Sequence, residues 1–287
     1  MSTRATSDYL KQYMLEEIFA DHNGAVCYHA TDKSNGRNYV VKVYIIPTND
    51  ALTEAFLLCG AFPDIYSIRS YYKELARDLC RQAAILNALS HTDYFSHFTG
   101  CHIEETDNGY EVYLISPLQH TLSELFSKAT LSEQNIIKLG IELCRATKQA
   151  REAGFLYIGL KPENIYISPK GIFQIGDVGF ISVHSLPYAA MPDRYQTIYT
   201  PVDTHDCFGE IDMTTDIYGI GVILYQALSG GKQPQIVLGQ PENKNQKLTE
   251  IVMKACSPAA ANRWQDPYEM EQSLHFCLRA LNSNENT

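Results

Sequence analysis

The sequence predicts an α+β fold with two lobes: a small β-rich lobe holding one main helix, then a larger helical lobe. Three observations predict it. Up to about residue 117, apolar runs rich in β-branched and aromatic residues recur with turns between them. From Leu118 onward the apolar residues recur at helical spacing instead. The chain has 287 residues, 45% hydrophobic and 20% charged, which suits one large domain or two small lobes with a substantial core.

The first strand pair is "GAVCYHATD" and "NYVVKVYII", joined by the turn "KSNGR". Residues 47–66, with "ALTEAFLLCGAF" and Pro63, form an insertion expected to hold a short extra helix. Residues 67–89 carry the main helical pattern of this lobe, and "FTGCHIEE" and "YEVYLISP" flank the turn "TDNG" as two further strands. "TLSELFSK" reads as a short helix. "LSEQNIIKLGIELCRATKQAREAG" reads as a long one, with Ser132 as its N-cap and Gly154 as its stop. Next, Ile165 and Ile167 alternate with Tyr166 and Ser168, Pro169-Lys170-Gly171 makes a turn, and Ile172, Phe173 and Ile175 lead into Gly176-Asp177-Val178-Gly179. A loop of about twenty residues, 180–201, follows; loops that long in a compact domain are usually functional or disordered. Three helical patterns close the chain: "TTDIYGIGVILYQALSG", "KLTEIVMKACS" and "DPYEMEQSLHFCLRAL". No internal repeat or low-complexity segment appears.

A formal charge of −10 and a pI of about 5.4 argue against non-specific nucleic-acid binding. The longest apolar run, residues 217–228, is too short to span a bilayer and suits a buried helix, and the N-terminus has no signal-peptide pattern. The eight cysteines show neither CxxC nor zinc-ligand spacing. They read as buried, reduced thiols of a cytoplasmic protein. The histidines are scattered, with no HExxH or triad-like cluster.

Five stretches and their order resemble the eukaryotic-type protein kinase family, over about Leu15 to Leu281. "YVVKV" resembles the strand whose lysine, here Lys42, holds the ATP α- and β-phosphates. "LKPEN" resembles the catalytic loop of the serine/threonine branch, with Lys161 and the metal-binding Asn164. "DVG" stands for Asp-Phe-Gly and makes Asp177 the main magnesium ligand. "TTDIYGIGVILYQALSGG" resembles the long buried helix, with Asp216 bracing the catalytic loop, and "PAAANRWQDPYEM" adds the late arginine, Arg263. The resemblance implies a two-lobed protein-kinase-like fold, with ATP and magnesium as cofactors. Aligning the glycine-rich loop on Gly24-Ala25-Val26 makes Gly24, Val26, Val40, Lys42, Gln82, Asn164 and Asp177 the nucleotide-binding set, with Asn164 and Asp177 the metal pair. Asn164 and Asp177 are also residue types that turns favour on their own account.

The departures decide function. His-Arg-Asp of the family is replaced by Tyr157, Ile158 and Gly159, so the aspartate that accepts the substrate proton is absent and Lys161 is left as a vestige of the catalytic set. A positioned base contributes about 10²–10⁴ in rate. Without the arginine at Ile158, the tyrosines and threonines of residues 180–201 lack their usual phosphate partner; Arg194 is the nearest substitute. Phe19 and Asp21 stand for the first two glycines, and Val40 for a small alanine. Gln82 stands for the glutamate that pairs with the strand lysine; Asp78, one turn earlier, is a possible replacement. "YTPVD" replaces Ala-Pro-Glu, leaving Arg263 to find its carboxylate at Asp203.

The expected organisation is an extension over 1–14, an N-lobe over 15–117, a C-lobe over 118–281 and a polar tail over 282–287. The expected function is that of a pseudokinase, a cytoplasmic signalling or scaffolding protein with vestigial nucleotide binding and little or no phosphotransfer. It would work through unidentified protein partners, without nucleic acid or membrane. The alternatives are an atypical active serine/threonine kinase and a nucleotide-free interaction module.

Overall fold

The structure, a computed structural model, describes residues 7–22, 25–49, 51–182, 197–204, 211–232, 239, 241 and 245–284. The chain forms two units, Met1–Ala88 with His97–Leu118, and Leu89–Ser96 with Gln119–Thr287. A β-rich first part and a helical second part give the protein-kinase-like, two-lobed α+β class.

The first unit is built on a five-stranded antiparallel sheet in the order β1-β2-β3-β5-β4: β1 (Tyr13–His22), β2 (Ala25–Asp32), β3 (Asn38–Ile46), β4 (Gly100–Glu105) and β5 (Tyr110–Pro117). Side chains alternate across the pleat. Val41 and Val43 of β3 therefore join Ala30, Tyr113 and Ile115 on one face, and Leu10 with Tyr9 and Tyr13 covers it. Residues 7–14, expected as an extension, thus contribute to this core. Val40, Lys42 and Tyr44 lie on the opposite face. Between β3 and β4 run α1 (Ala51–Leu58), within the expected insertion, and α2 (Ile65–Leu89).

Residues 89–96 pack with the second unit rather than the first. Phe95 is buried there, and the Ile175 N–H donates to the Tyr94 carbonyl while the Ser96 N–H donates to the Ile175 carbonyl. This unit holds β6 (His120–Thr121), α3 (Leu122–Lys128), α4 (Glu133–Glu152), β7 (Phe155–Tyr157), β8 (Ile165–Ile167), β9 (Phe173–Ile175), β10 (Phe180–Ser182), α5 (Met213–Leu228), α6 (Gln246–Ala255) and α7 (Pro267–Asn284). Ser132 caps α4 by accepting from the Asn135 N–H. Asp212 and Thr215 form a capping box at the start of α5, whose Ile217, Ile220 and Leu224 are wholly buried. β6, β8 and β9 form one small sheet; β10 and β7 form another.

The expectation that every cysteine is a buried, reduced thiol is corrected. Cys80 of α2 and Cys101 of β4 form a disulfide with Cα atoms 6.0 Å apart, and Cys59 is an exposed free thiol. Cys27, Cys144, Cys256 and Cys277 are buried thiols outside the disulfide, and Cys207 lies outside the described residues. The pairing joins residues 21 apart, brought together by the return of the chain from α2 into β4, so no short motif signals it. Closing a loop of that size stabilises by about 2–4 kcal/mol. In non-reducing buffer Cys101→Ser should lower the unfolding free energy by about that amount, and dithiothreitol should bring the unsubstituted chain down to the variant. Equal denaturant midpoints with and without reductant would contradict the cross-link.

Candidate functional site: a kinase-like catalytic loop closed by two glycines

In the first unit, register places the expected nucleotide residues. Cross-strand partners share a face. Lys42 is opposite Cys27 on β2 and Leu114 on β5; Leu114 is opposite Cys101 on β4. These four side chains form one row across the sheet. The Cys80–Cys101 disulfide ties α2 to that row through Cys80; Gln82, two residues on, points to a different side of the helix. Lys42 is half-buried, its Nζ 5.9 Å from the Tyr44 ring centre, and Val40 shares its face.

Val26 is a correction. Its partner is Val43, which points away from Lys42; Cys27 occupies the Lys42 face instead. A slip of one residue moves a side chain to the other side of a sheet. Counted back from Cys27, the glycine-rich spacing falls on Ala20, His22 and Ala25 rather than on Phe19, Asp21 and Gly24. Gly24 itself lies outside the described residues. The turn "KSNGR" does not fix this register: Asp32 facing Asn38 across it would put Tyr28 opposite Lys42, whereas Thr31 faces Asn38 and Cys27 faces Lys42.

Gln82 is buried, and its amide donates to the Asp78 carboxylate at 2.7 Å. Asp78 also lies 3.7 Å from Arg81. The Asp78 carboxylate is therefore shared between an amide and an arginine on its own helix.

In the second unit, β7 carries the chain into the catalytic-loop segment and β10 carries it out of Asp177-Val178-Gly179. Phe180 pairs with Tyr157, and the Ile158 N–H donates to the Gly179 carbonyl at 2.8 Å. Sequence periodicity does not reveal these two strands, because three residues are too few to establish it. The Tyr157 ring is wholly buried, 4.9 Å from the Phe180 ring.

The result is an unusually close approach of two backbones. A Cβ built on Gly159 would sit 2.9 Å from the Val178 carbonyl oxygen and 3.0 Å from the Tyr157 hydroxyl. A Cβ on Gly179, where φ is +151°, would sit 2.8 Å from Gly159 Cα. Two glycines and a tyrosine thus fill the place where the family carries its aspartate.

The remaining site residues surround this contact. Asn164 is buried, and its Nδ2 donates to the Gly159 carbonyl at 2.9 Å, which leaves Oδ1 as the end able to face a cation. Asp177 is buried, and its Oδ1 accepts from the Val178 N–H at 2.8 Å. One carboxylate and one amide oxygen are hard donors that suit magnesium. Among the described residues no group of three or more His, Cys, Asp or Glu stands ready to hold a metal. Lys161 is half-buried on extended backbone.

Below the loop lies Asp216, wholly buried. Burial raises its carboxyl well above the ordinary value, against a hydrogen bond from the Tyr157 N–H. Its Oδ1 has no hydrogen-bond partner among the described residues. Asp203 does supply the carboxylate for Arg263: its oxygens lie 3.2 and 3.4 Å from Nη2 of an arginine that also donates to the Ser257 and Pro258 carbonyls. Thr200 is buried, its hydroxyl donating to the Thr197 carbonyl. Arg194 lies outside the described residues, as does 183–196 of the long loop.

No protein-family model matches the chain. It is similar to a probable serine/threonine-protein kinase of Clostridium perfringens, 25% identical over 180 residues, covering 52% of this chain and 25% of that protein. It is also similar to a Wee1-like protein kinase of Arabidopsis thaliana (24% over 190 residues; 64% and 36%). A third similarity is to the serine/threonine-protein kinase PknB of Mycobacterium leprae (24% over 200 residues; 58% and 32%). The matched stretches span about a quarter to a third of those relatives' length. With the fold described above, the chain is protein-kinase-like.

Two outcomes test this geometry. Gly159→Ala adds a Cβ against the Val178 carbonyl and the buried Tyr157 ring; Gly179→Ala adds one against the Gly159 backbone at a left-handed φ as well, and should cost more. About 1–2 and 2–4 kcal/mol, respectively, are expected from urea unfolding. Loss under 0.5 kcal/mol in both would contradict the close approach. For Asp216 the folded-state pKa is raised, so the stabilisation it brings is complete below the ordinary carboxylate value and is lost as pH rises through the folded value. Asp216→Asn keeps an oxygen for the Tyr157 N–H. It should flatten the fall in stability as pH rises above the ordinary carboxylate value of about 4, whereas parallel urea-midpoint curves for both proteins would contradict the burial argument.

Proposed function

We propose that the chain is a pseudokinase: a kinase-like protein that keeps weak nucleotide contacts, transfers little or no phosphate and acts by binding protein partners. The observation that carries this reading is the Gly159–Gly179 contact. A general base must stand within hydrogen-bond reach of the proton it takes. The position offers no side chain, and the space a carboxylate would need is taken by the Val178 carbonyl and the Tyr157 ring.

Phosphoryl transfer depends almost entirely on positioning and charge stabilisation. Gln82 cannot neutralise Lys42 as a glutamate would; its Nε2 donates to Asp78. Lys42, Asn164 and Asp177 support retained nucleotide contacts. In this reading Lys42 holds the α- and β-phosphates, while the Asn164 amide oxygen and the Asp177 carboxylate would hold magnesium, which supplies charge neutralisation when bound.

Thermal shift and autophosphorylation test the proposal together. ATP with magnesium or manganese should raise Tm by about 1–3 °C, and Lys42→Ala and Asp177→Asn should each remove that shift. Phosphate incorporation should stay at background, and Gly159→Asp should not restore it, since Gln82 remains and groups that act as one unit are not repaired singly. Robust turnover abolished by Lys42→Ala would overturn the reading in favour of an active kinase with another base, with Glu163 the first residue to substitute. No shift with any nucleotide would instead favour a nucleotide-free module.

A further inference from the structure

On α6, residues three and four apart share a face. Lys247, Glu250, Ile251 and Lys254 therefore line one side of a groove, and Ser273 and Phe276 of α7 line the other, with Trp264 between the helices. The Trp264 ring is fixed by donation from its Nε1 to the Ile251 carbonyl at 3.1 Å. Two lysines cap the aromatic faces: Lys254 Nζ lies 3.6 Å from the Trp264 ring centre, and Lys247 Nζ lies 3.5 Å from that of Phe276. Their charges are thereby held at the groove instead of ranging through solvent. The one acid of the lining, Glu250, accepts from the Gln246 amide at 3.0 Å. Phe276 is half exposed, a large apolar side chain left open to water.

A chain with a formal charge of −10 repels an acidic ligand over most of its surface. Here such a ligand meets two fixed ammonium groups beside an apolar floor. We propose that the α6–α7 groove docks an acidic peptide segment carrying an apolar anchor. The anchor packs on Phe276, Trp264 and Ile251, and carboxylates on either side of it pair with Lys247 and Lys254. The inference holds whether or not the chain binds nucleotide or transfers phosphate, because the groove lies wholly within α6, α7 and the segment holding Trp264.

Trp264 is the chain's single tryptophan, so emission excited beyond tyrosine absorption reports on this groove. The probe is the synthetic peptide acetyl-EEDLFEE-amide, with acetyl-KKSLFKK-amide as its charge-reversed counterpart. The acidic peptide should change Trp264 fluorescence saturably and the basic one should not. Anisotropy of the labelled acidic peptide should show binding weakened at least tenfold by Lys247→Glu, by Lys254→Glu and by Phe276→Ser. Thermal melts of the three variants should match the unsubstituted chain, which separates lost docking from lost folding. Equal binding of both peptides, no saturable binding of the acidic one, or indifference to the lysine substitutions would each overturn the proposal. Failure to bind peptide combined with lysine-dependent flotation on phosphatidylserine vesicles would overturn it too, and assign the groove to a lipid surface.

Discussion

The catalytic-loop region is organised by the approach of two peptide segments that only glycine permits. Gly159 and Gly179 meet where a Cβ on either would collide with backbone or with the Tyr157 ring. From that contact follow the Ile158–Gly179 hydrogen bond, the pairing of β7 with β10 and the burial of Tyr157 against Phe180. Asn164 and Asp216 hold the loop from either side, one through the Gly159 carbonyl and the other through the Tyr157 N–H. Gly159, which offers no side chain, is thus one part of a close-packed loop with Tyr157 and Gly179. A substitution at Gly159 alone disturbs the packing before it can supply chemistry.

Much of the fold was legible because its signals are long-range in pattern but local in chemistry. α4 and α5 announce themselves by helical spacing and by Ser132 and Asp212 at their starts. β2, β3 and β5 are apolar and β-branched. The replacement of the Ala-Pro-Glu glutamate was also readable, since Asp203 is the nearest carboxylate and does reach Arg263. What failed was register and pairing. Val26 and Cys27 are neighbours in an apolar strand, and only the partner strand decides which faces Lys42. The Cys80–Cys101 link joins a helix to an edge strand, a proximity that spacing within the sequence does not encode.

The same tension marks the first unit. Lys42 sits in a row running from Cys27 through Leu114 to Cys101, and the disulfide fixes α2 to the end of that row. The helix is held covalently where the kinase family uses a lysine–glutamate ion pair, and the residue at that position, Gln82, turns its amide to Asp78. A covalent tie keeps the helix near the sheet without requiring charge.

The central claim is that the Gly159–Gly179 contact closes the position of the base. A crystal structure with a non-hydrolysable ATP analogue and manganese tests it most directly. The account predicts that the Ile158 N–H still bonds the Gly179 carbonyl, that Tyr157 remains buried, and that no carboxylate other than Asp177 approaches the γ-phosphate. A nucleotide-bound structure in which the two glycines part and Glu163, or another carboxylate, enters the space between them would contradict it.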